Sequence, residues 1–330
     1  MTKRSSVSFV ATIVAIIASI GCGNINVPHG IPLGHSFRTA NYIATLIETL
    51  EPYRVSLNHN PENERFSVGV FLLSADGRSP GRMIPIAKGL RVNEYRHDAR
   101  ILGDDGRLLW FHVKETCALE LKTGKLFTVR EIGTLEPNRR SNQPLESFFS
   151  SGAFVSATEW LGVHSPAEVE RDLKPGSSLS SDNRAEKSAG PRRIYRGRID
   201  ASGSRPRIMS MTPISTDEYL HAALLRGPAD SQPIRLSQPD GFLLSYTSPP
   251  NPRNPGTLFK GTFFVARMDV NGQRVWAVDT GSGDIEQILP DAQSMAFIGT
   301  RPRIPDKVPE PILVIVNNQS GAVSTTSLWQ

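Results

Sequence analysis

Turns that contain glycine separate short apolar segments along most of this chain, and this pattern constrains the fold more than any other feature. The turns hold the dipeptides Asp76-Gly77, Asp105-Gly106, Asn271-Gly272 and Ser320-Gly321. Such dipeptides supply the positive φ that tight hairpin turns require. The segments between the turns are apolar or alternating, as in "FSVGVFLLS" and "TFFVARMDV". We therefore predict an all-β chain of consecutive hairpins.

One segment near the start of the chain fits two secondary structures. Residues 38–50, "RTANYIATLIETL", hold the best helical pattern in the sequence, and they suit a first strand equally well. We expect residues 38–330 to form a single domain, because the chain of 330 residues is long enough to bury one large core.

The spacing of strands and turns predicts a β-propeller. Residues 106–129 read as strand, turn, strand, turn and strand, and residues 261–289 repeat the arrangement. About 25 residues of this kind fit part of a blade whose full repeat is about 40 to 50 residues. The length then predicts about six or seven blades, with the last strand, in "TSLW", pairing near the start of the domain. A two-sheet β-sandwich has similar turn spacing and is the alternative.

Two segments resemble a known blade repeat. "ALELKTGKLF" at residues 118–127 resembles the repeat of quinoprotein-type β-propellers, with an acidic residue, Thr-Gly and an aromatic position, and "AVDTGSGDIEQIL" resembles it less closely. The resemblance implies blade-forming roles for seven residues. They are Trp110, Thr123, Gly124, Phe127, Trp276, Asp279 and Gly281. The last third of the chain is also similar to a group of exported proteobacterial proteins, a resemblance that implies no activity.

The first residues look like an export signal. "MTKR" is basic and is followed by the apolar run "VSFVATIVAIIASIG", so we expect residues 1–21 to be a signal peptide. "SIGCGN" resembles the bacterial lipobox, which implies a lipid on Cys22 and an outer-membrane location, with residues 22–37 as a tether. A soluble periplasmic protein is the alternative.

Positive charge is concentrated in one part of the chain. The whole chain has a net charge of +5, and ten basic residues against four acidic ones fall within residues 171–207. We expect a disordered basic insertion around residues 165–193, because its Ser, Gly, Pro and charge content cannot bury a core. We also expect four arginines to contact a partner. They are Arg192, Arg193, Arg196 and Arg198. Tyr195 is the single aromatic residue among these charges, so nucleic acid is not expected to bind.

The sequence holds few signals of catalysis. The motifs HExxH, Walker A, GxGxxG and CxxC are absent, and Cys117 lies in an apolar hairpin where a thiol usually packs as a small hydrophobic group. We expect no cofactor and no metal ion.

These features favour a monomeric, non-enzymatic lipoprotein that acts as a protein-interaction platform at the periplasmic face of the outer membrane. The lipid would attach it to the membrane, and an envelope protein would be its partner. A quinone-dependent periplasmic oxidoreductase, as in the resembled family, and a sensor of cell-wall sugars are the alternatives.

Overall fold

The strands of the protein form consecutive antiparallel groups. The computed structural model describes residues 31–50, 65–132, 145–174, 177, 191–203, 206–227, 233–248, 261–302 and 309–329. The expected signal peptide, Cys22 and the first part of the expected tether lie outside these ranges. The expected tether also included residues 31–37, which belong to the first strand.

The described strands form five groups, here called units 1 to 5, which follow one another along the chain. Unit 1 contains β1 (Ile31–Arg38), β2 (Tyr42–Leu50), β3 (Phe66–Ser74) and β4 (Arg82–Leu90). Unit 2 contains β5 (Arg100–Asp104), β6 (Leu108–Val113), β7 (Glu115–Glu120) and β8 (Leu126–Thr128). Unit 3 contains β10 (Gly152–Phe154), β11 (Glu159–His164), β12 (Pro191–Asp200) and β13 (Arg207–Pro213), preceded by β9 (Phe149–Ser150). Unit 4 contains β14 (Tyr219–Leu225), β15 (Arg235–Leu236), β16 (Gly241–Thr247), β17 (Phe263–Asp269) and β18 (Arg274–Asp279). Unit 5 contains β19 (Asp284–Pro290), β20 (Ser294–Thr300), β21 (Pro311–Asn317) and β22 (Val323–Ser327).

The helices within the described ranges are short. They are α1 (Val92–Tyr95), α2 (Val129–Ile132), a 3₁₀ turn (Leu145–Phe148) and α3 (Pro166–Asp172). Helix α3 begins with a capping box, in which Ser165 and Glu168 each accept a hydrogen bond from the other's backbone N–H. The expected disordered insertion therefore contains a helix at its start, and β12 occupies its last three positions. Residues 178–190 lie outside the described ranges.

Units 1, 2 and 5 are separate four-stranded sheets in which each strand pairs with the next along the chain. Units 3 and 4 share one ten-stranded sheet. They are joined where β12 pairs with β14, at the pairs Pro191–Leu220 and Arg192–Tyr219. Residues 42–50 form β2. They belong to the segment 38–50, whose sequence fitted both a helix and a strand.

The apolar runs of the sequence are strands that are buried on both faces. In β3, Val68, Val70 and Leu72 pack toward unit 2, whereas Phe71 and Leu73 pack toward unit 5. Because successive side chains point to opposite faces, such a strand needs apolar residues at nearly every position. Two facing sheets would leave one face of each sheet in solvent, so the sandwich alternative does not describe this protein.

The first unit packs against the last. One apolar cluster joins Ile43, Ile47 and Phe71 of unit 1 to Leu313 and Ile315 of unit 5. The first strand, β1, contacts both β5 and β19, the first strands of units 2 and 5. Other clusters join units 1 and 2, units 3 and 4, and units 4 and 5. The antiparallel sheets and the packing of unit 1 against units 2 and 5 and of unit 5 against unit 4 confirm the predicted all-β propeller fold.

The structure differs from the expected repeat in two respects. The described residues form five units instead of six or seven, because units 1, 3 and 4 each take up roughly 60 residues and exceed the usual blade repeat. The last strand, β22, pairs with β21, and β1 pairs with β2, so the two ends meet through side-chain packing and share no sheet.

Candidate functional site

The four arginines expected to bind a partner do not form one exposed patch. Arg192 is 2% exposed, and its Nη2 lies 2.7 Å from Oε1 of Glu168, which is itself buried. Its Nη1 donates to the carbonyl of Ala222 at 2.8 Å. Arg192 therefore cannot reach a partner, since β12 places it between units 3 and 4.

The other three arginines of β12 differ in their surroundings. Arg193 binds Glu218 at 2.6 Å. Arg196 donates to the carbonyl of Val270, in the turn between β17 and β18, at 2.8 Å. Arg198 is exposed. Three of the four arginines of β12 are thus occupied with intramolecular contacts.

The predicted blade residues of unit 2 lie in β6, in β8 and in the turn between β7 and β8. Trp110 is 3% exposed and packs with Phe127 in a small cluster. Gly124 has φ +76°, and its N–H donates to the carbonyl of Glu120 at 2.8 Å. The Thr123 hydroxyl donates to the Glu120 carboxylate at 2.6 Å. These contacts close the turn between β7 and β8.

The second resembling segment has a different place in the fold. Trp276 and Asp279 belong to β18 of unit 4, whereas β19 begins unit 5, so Gly281 lies in the connection between two sheets. Asp279 accepts a hydrogen bond from the Gly281 N–H at 2.8 Å. The structural counterpart of the β7–β8 turn is the β21–β22 turn, where the Gly321 N–H donates to the carbonyl of Asn317 at 2.9 Å. The expected repeat at residues 261–289 was therefore wrong in its third strand, which belongs to the next sheet. Thr-Gly occurs in the hairpin turn at residues 123–124 and also in the connection between two sheets at residues 280–281.

Cys117 is a half-buried thiol in the cluster between units 1 and 2. Burial raises its pKa, and the neighbouring carboxylate of Glu115 adds to the effect. A raised pKa leaves less thiolate at neutral pH, which disfavours a nucleophilic role.

A cleft opens at the junction of units 1 and 5. This cleft, here called cleft A, has a volume of about 590 Å³ and is lined by the turns that follow β1, β3, β19 and β21. Arg38 lies at its base, 8% exposed, and its guanidinium donates to the carbonyl of Leu289 at 3.1 Å and to the Ser294 hydroxyl at 2.6 Å. Burial lowers the pKa of Arg38, and Asp291, at 3.6 Å, opposes that shift.

Cleft A carries balanced charge. Arg38 and Arg78 face Asp76 and Asp291 among its described lining residues. The backbone N–H of Arg78 donates to the Asp76 carboxylate at 3.0 Å and lowers its pKa. Most other lining residues carry hydroxyl or amide groups, which donate and accept hydrogen bonds without acid–base chemistry.

A second cleft lies on the other side of unit 1. This cleft, here called cleft B, has a volume of about 550 Å³ and lies between units 1 and 2. Its described lining residues are Asn41, Tyr42, Leu72, Ser74, Ser79, Pro80, Arg82 and Lys122. Asn41, Ser74 and Ser79 also line cleft A. The two clefts therefore adjoin each other on one rim of the protein, above unit 1.

Sequence reasoning did not find this rim. Its residues come from turns far apart in the chain, and serine and asparagine are common in turns for backbone reasons alone. The turns themselves were readable as Gly-containing dipeptides, but their convergence depends on the packing of unit 1 between units 2 and 5.

Within the described ranges, no group of three or more His, Cys, Asp and Glu side chains is placed to hold a metal ion. No described residue of either cleft lining is a histidine or a cysteine. Among the helices that the structure describes, none has the length and apolar character needed to cross a bilayer.

Comparison with known proteins gives no family. No protein-family model matches the chain, and no curated protein matches it significantly. Among solved structures, the β-propeller domain of the trilobed protease from Pyrococcus furiosus matches 88% of this chain and 71% of its own, with 9% identity and a TM-score of 0.26.

Two further solved structures are similar to the chain at the same level. The acylaminoacyl peptidase of Pyrococcus horikoshii matches with 12% identity and a TM-score of 0.25, over 88% of this chain and 38% of its own. A eukaryotic initiation factor matches with 11% identity and a TM-score of 0.25, over 89% of this chain and 55% of its own. The chain thus spans less than two thirds of both proteins. Its fold assignment comes from its own sheet topology.

Proposed function

We propose that the protein is a non-enzymatic interaction platform that binds an extended segment of a partner protein on the rim formed by clefts A and B. The observation that carries the proposal is that the two clefts share Asn41, Ser74 and Ser79 and so provide one groove across unit 1. Amide and hydroxyl side chains match the alternating donors and acceptors of an extended main chain.

The proposed location is the periplasmic face of the outer membrane, with a lipid on Cys22. The basic start, the apolar run and "SIGCGN" support this location. The soluble periplasm is the alternative, and mass spectrometry of the peptide that contains residue 22 distinguishes the two.

The groove favours a protein segment over the other two ligands considered. Tyr42 is the single aromatic residue among the described lining residues of both clefts, whereas sugar sites commonly use aromatic faces for stacking. The quinoprotein-type resemblance of residues 118–127 concerns a hairpin of unit 2, and it supplies no residue that would hold a quinone.

Site-specific photo-crosslinking in cells tests the platform. A photo-reactive amino acid replaces Ser79, which is exposed and lines both clefts. The control replaces Met209, which is 63% exposed on β13 of unit 3. We expect one dominant envelope protein to be crosslinked from position 79 and not from position 209. Equal capture at both positions, or no capture at position 79, would contradict the proposal.

A further inference from the structure

The two clefts differ in charge. Cleft A is balanced, whereas cleft B, at the junction with unit 2, is positive. Among the described lining residues, cleft B has Arg82 and Lys122 and no carboxylate. Cleft A has Asp76 and Asp291 as well as its two arginines. An uncompensated pair of cations in a concave site attracts an anionic group.

The two cations come from different units and are brought together by a contact across the junction. Arg82 lies in β4 of unit 1, and Lys122 lies in the β7–β8 turn of unit 2. The Nη2 of Arg82 donates to the carbonyl of Leu121, and it lies 3.4 Å from the carbonyl of Lys122. This contact holds the guanidinium at the cleft before any ligand arrives, which reduces the entropy that binding would cost.

Arg82 keeps further donors for a ligand. A guanidinium has five N–H groups, and the described contacts of Arg82 use only those of Nη2. A carboxylate accepts two parallel hydrogen bonds from such a group, and Lys122 adds a point charge beside it.

The remaining lining of cleft B suits a peptide better than a free inorganic anion. Ser74, Ser79 and Asn41 offer hydrogen bonds, and Leu72 and Pro80 offer apolar surface. A volume of about 550 Å³ exceeds what one small anion fills. We propose that cleft B binds an acidic side chain, Asp or Glu, of the extended segment. The inference rests on the proposed platform function and specifies the chemistry of its partner.

A binding assay with the isolated full chain tests the inference without the native partner. The probes are a short fluorescent peptide of alternating serine and glutamate and its counterpart of alternating serine and glutamine. Fluorescence anisotropy at low ionic strength should show tighter binding of the glutamate peptide. Added salt should weaken that binding, because exposed charges are screened.

Lys122→Glu is the test variant, and Lys88→Glu is its matched control. Both side chains are exposed, both changes alter the net charge equally, and Lys88 does not line the cleft. We expect Lys122→Glu to weaken binding of the glutamate peptide about three- to fivefold and Lys88→Glu by less than about twofold, as for exposed charge pairs.

Three results would overturn the inference: equal binding of the two peptides, equal effects of the two substitutions, or displacement of the glutamate peptide by inorganic phosphate at concentrations where chloride has no effect. The last result would assign the cleft to a free phosphate-type anion. Crosslinking from position 79 combined with equal peptide binding would leave the platform standing and remove the acidic partner. Glutamate selectivity without any crosslinked protein would contradict the platform and leave cleft B as a site for a carboxylate.

Discussion

Arginines that donate to backbone carbonyls occur at four junctions between units. Arg82 joins units 1 and 2, Arg192 joins units 3 and 4, and Arg38 joins units 1 and 5. Arg267, 2% exposed, joins units 4 and 5 by donating to Gln319 in the β21–β22 turn. Turn carbonyls at a buried junction need donors, and a guanidinium reaches two of them at once.

At the residue scale, we predict that Arg192 supports folding and not partner binding. Arg192→Ala would leave the buried Glu168 carboxylate without its positively charged partner, which should lower the free energy of unfolding by about 3 kcal/mol. The exposed control Arg198→Ala should stay within about 0.5 kcal/mol of the parent. Urea denaturation followed by circular dichroism measures both. Similar small effects of the two substitutions would show that the buried pair does not form.

The burial of Arg192 was not predictable from the sequence. Composition counts its charge together with those of Arg193, Arg196 and Arg198, and only the packing of units 3 and 4 separates them. The helix that supplies Glu168 does have a sequence signal, since "SPAE" at residues 165–168 fits a capping box with proline at its first helical position.

At the scale of elements, the hairpin turns are the best-predicted part of the molecule. The turns after β7 and β21 have the same hydrogen bonds, in which the glycine N–H donates to the carbonyl four residues earlier. Glycine provides the positive φ in both, +76° at Gly124 and +71° at Gly321. Local dipeptides determine such turns, so the sequence predicts them. Distant contacts determine which sheet the next strand joins. The sequence therefore did not show that residues 279–284 connect units 4 and 5.

Gly321 should tolerate a side chain less well than other turn glycines. A Cβ at Gly321 would lie 2.7 Å from the Trp276 ring, whereas at Gly106, with φ +88°, nothing lies within 4 Å. Gly106→Ala should cost about 1 kcal/mol for the left-handed backbone alone. Gly321→Ala should cost about 1 to 3 kcal/mol more, because the Cβ overpacks the junction of units 4 and 5.

Thermal or urea unfolding of the two glycine variants gives the comparison. The additional cost at Gly321 should become smaller when Trp276 is replaced by leucine, which removes most of the ring. Equal costs for Gly321→Ala and Gly106→Ala would contradict the docking of Trp276 onto the β21–β22 turn.

At the scale of the whole molecule, strand content and the propeller class followed from the sequence, whereas the number of units and their closure did not. Dividing the length by a typical repeat assumes regular blades, and this chain departs from that spacing. The packing of unit 1 on unit 5 rests on residues such as Ile43 and Leu313, which in the sequence resemble the other core residues. The rim groove depends on this packing, since cleft A lies at the junction of the two units.

Disulfide formation between unit 1 and unit 5 tests the contact of these two units most directly. A Cβ built on Gly77 lies 3.0 Å from the Ser324 Cβ, close to the separation of about 3.5 to 4.5 Å found in disulfides, and the positions are 247 residues apart. With Cys22 and Cys117 replaced by serine, the variant Gly77→Cys/Ser324→Cys should oxidise, as measured by the mass of the intact chain, and the left-handed backbone at position 77 (φ +69°) should cost it about 1 kcal/mol of stability. Gly77→Cys/Thr325→Cys should stay reduced, because adjacent strand residues point to opposite faces. Equal oxidation of the two pairs, or none in either, would contradict the meeting of unit 1 and unit 5.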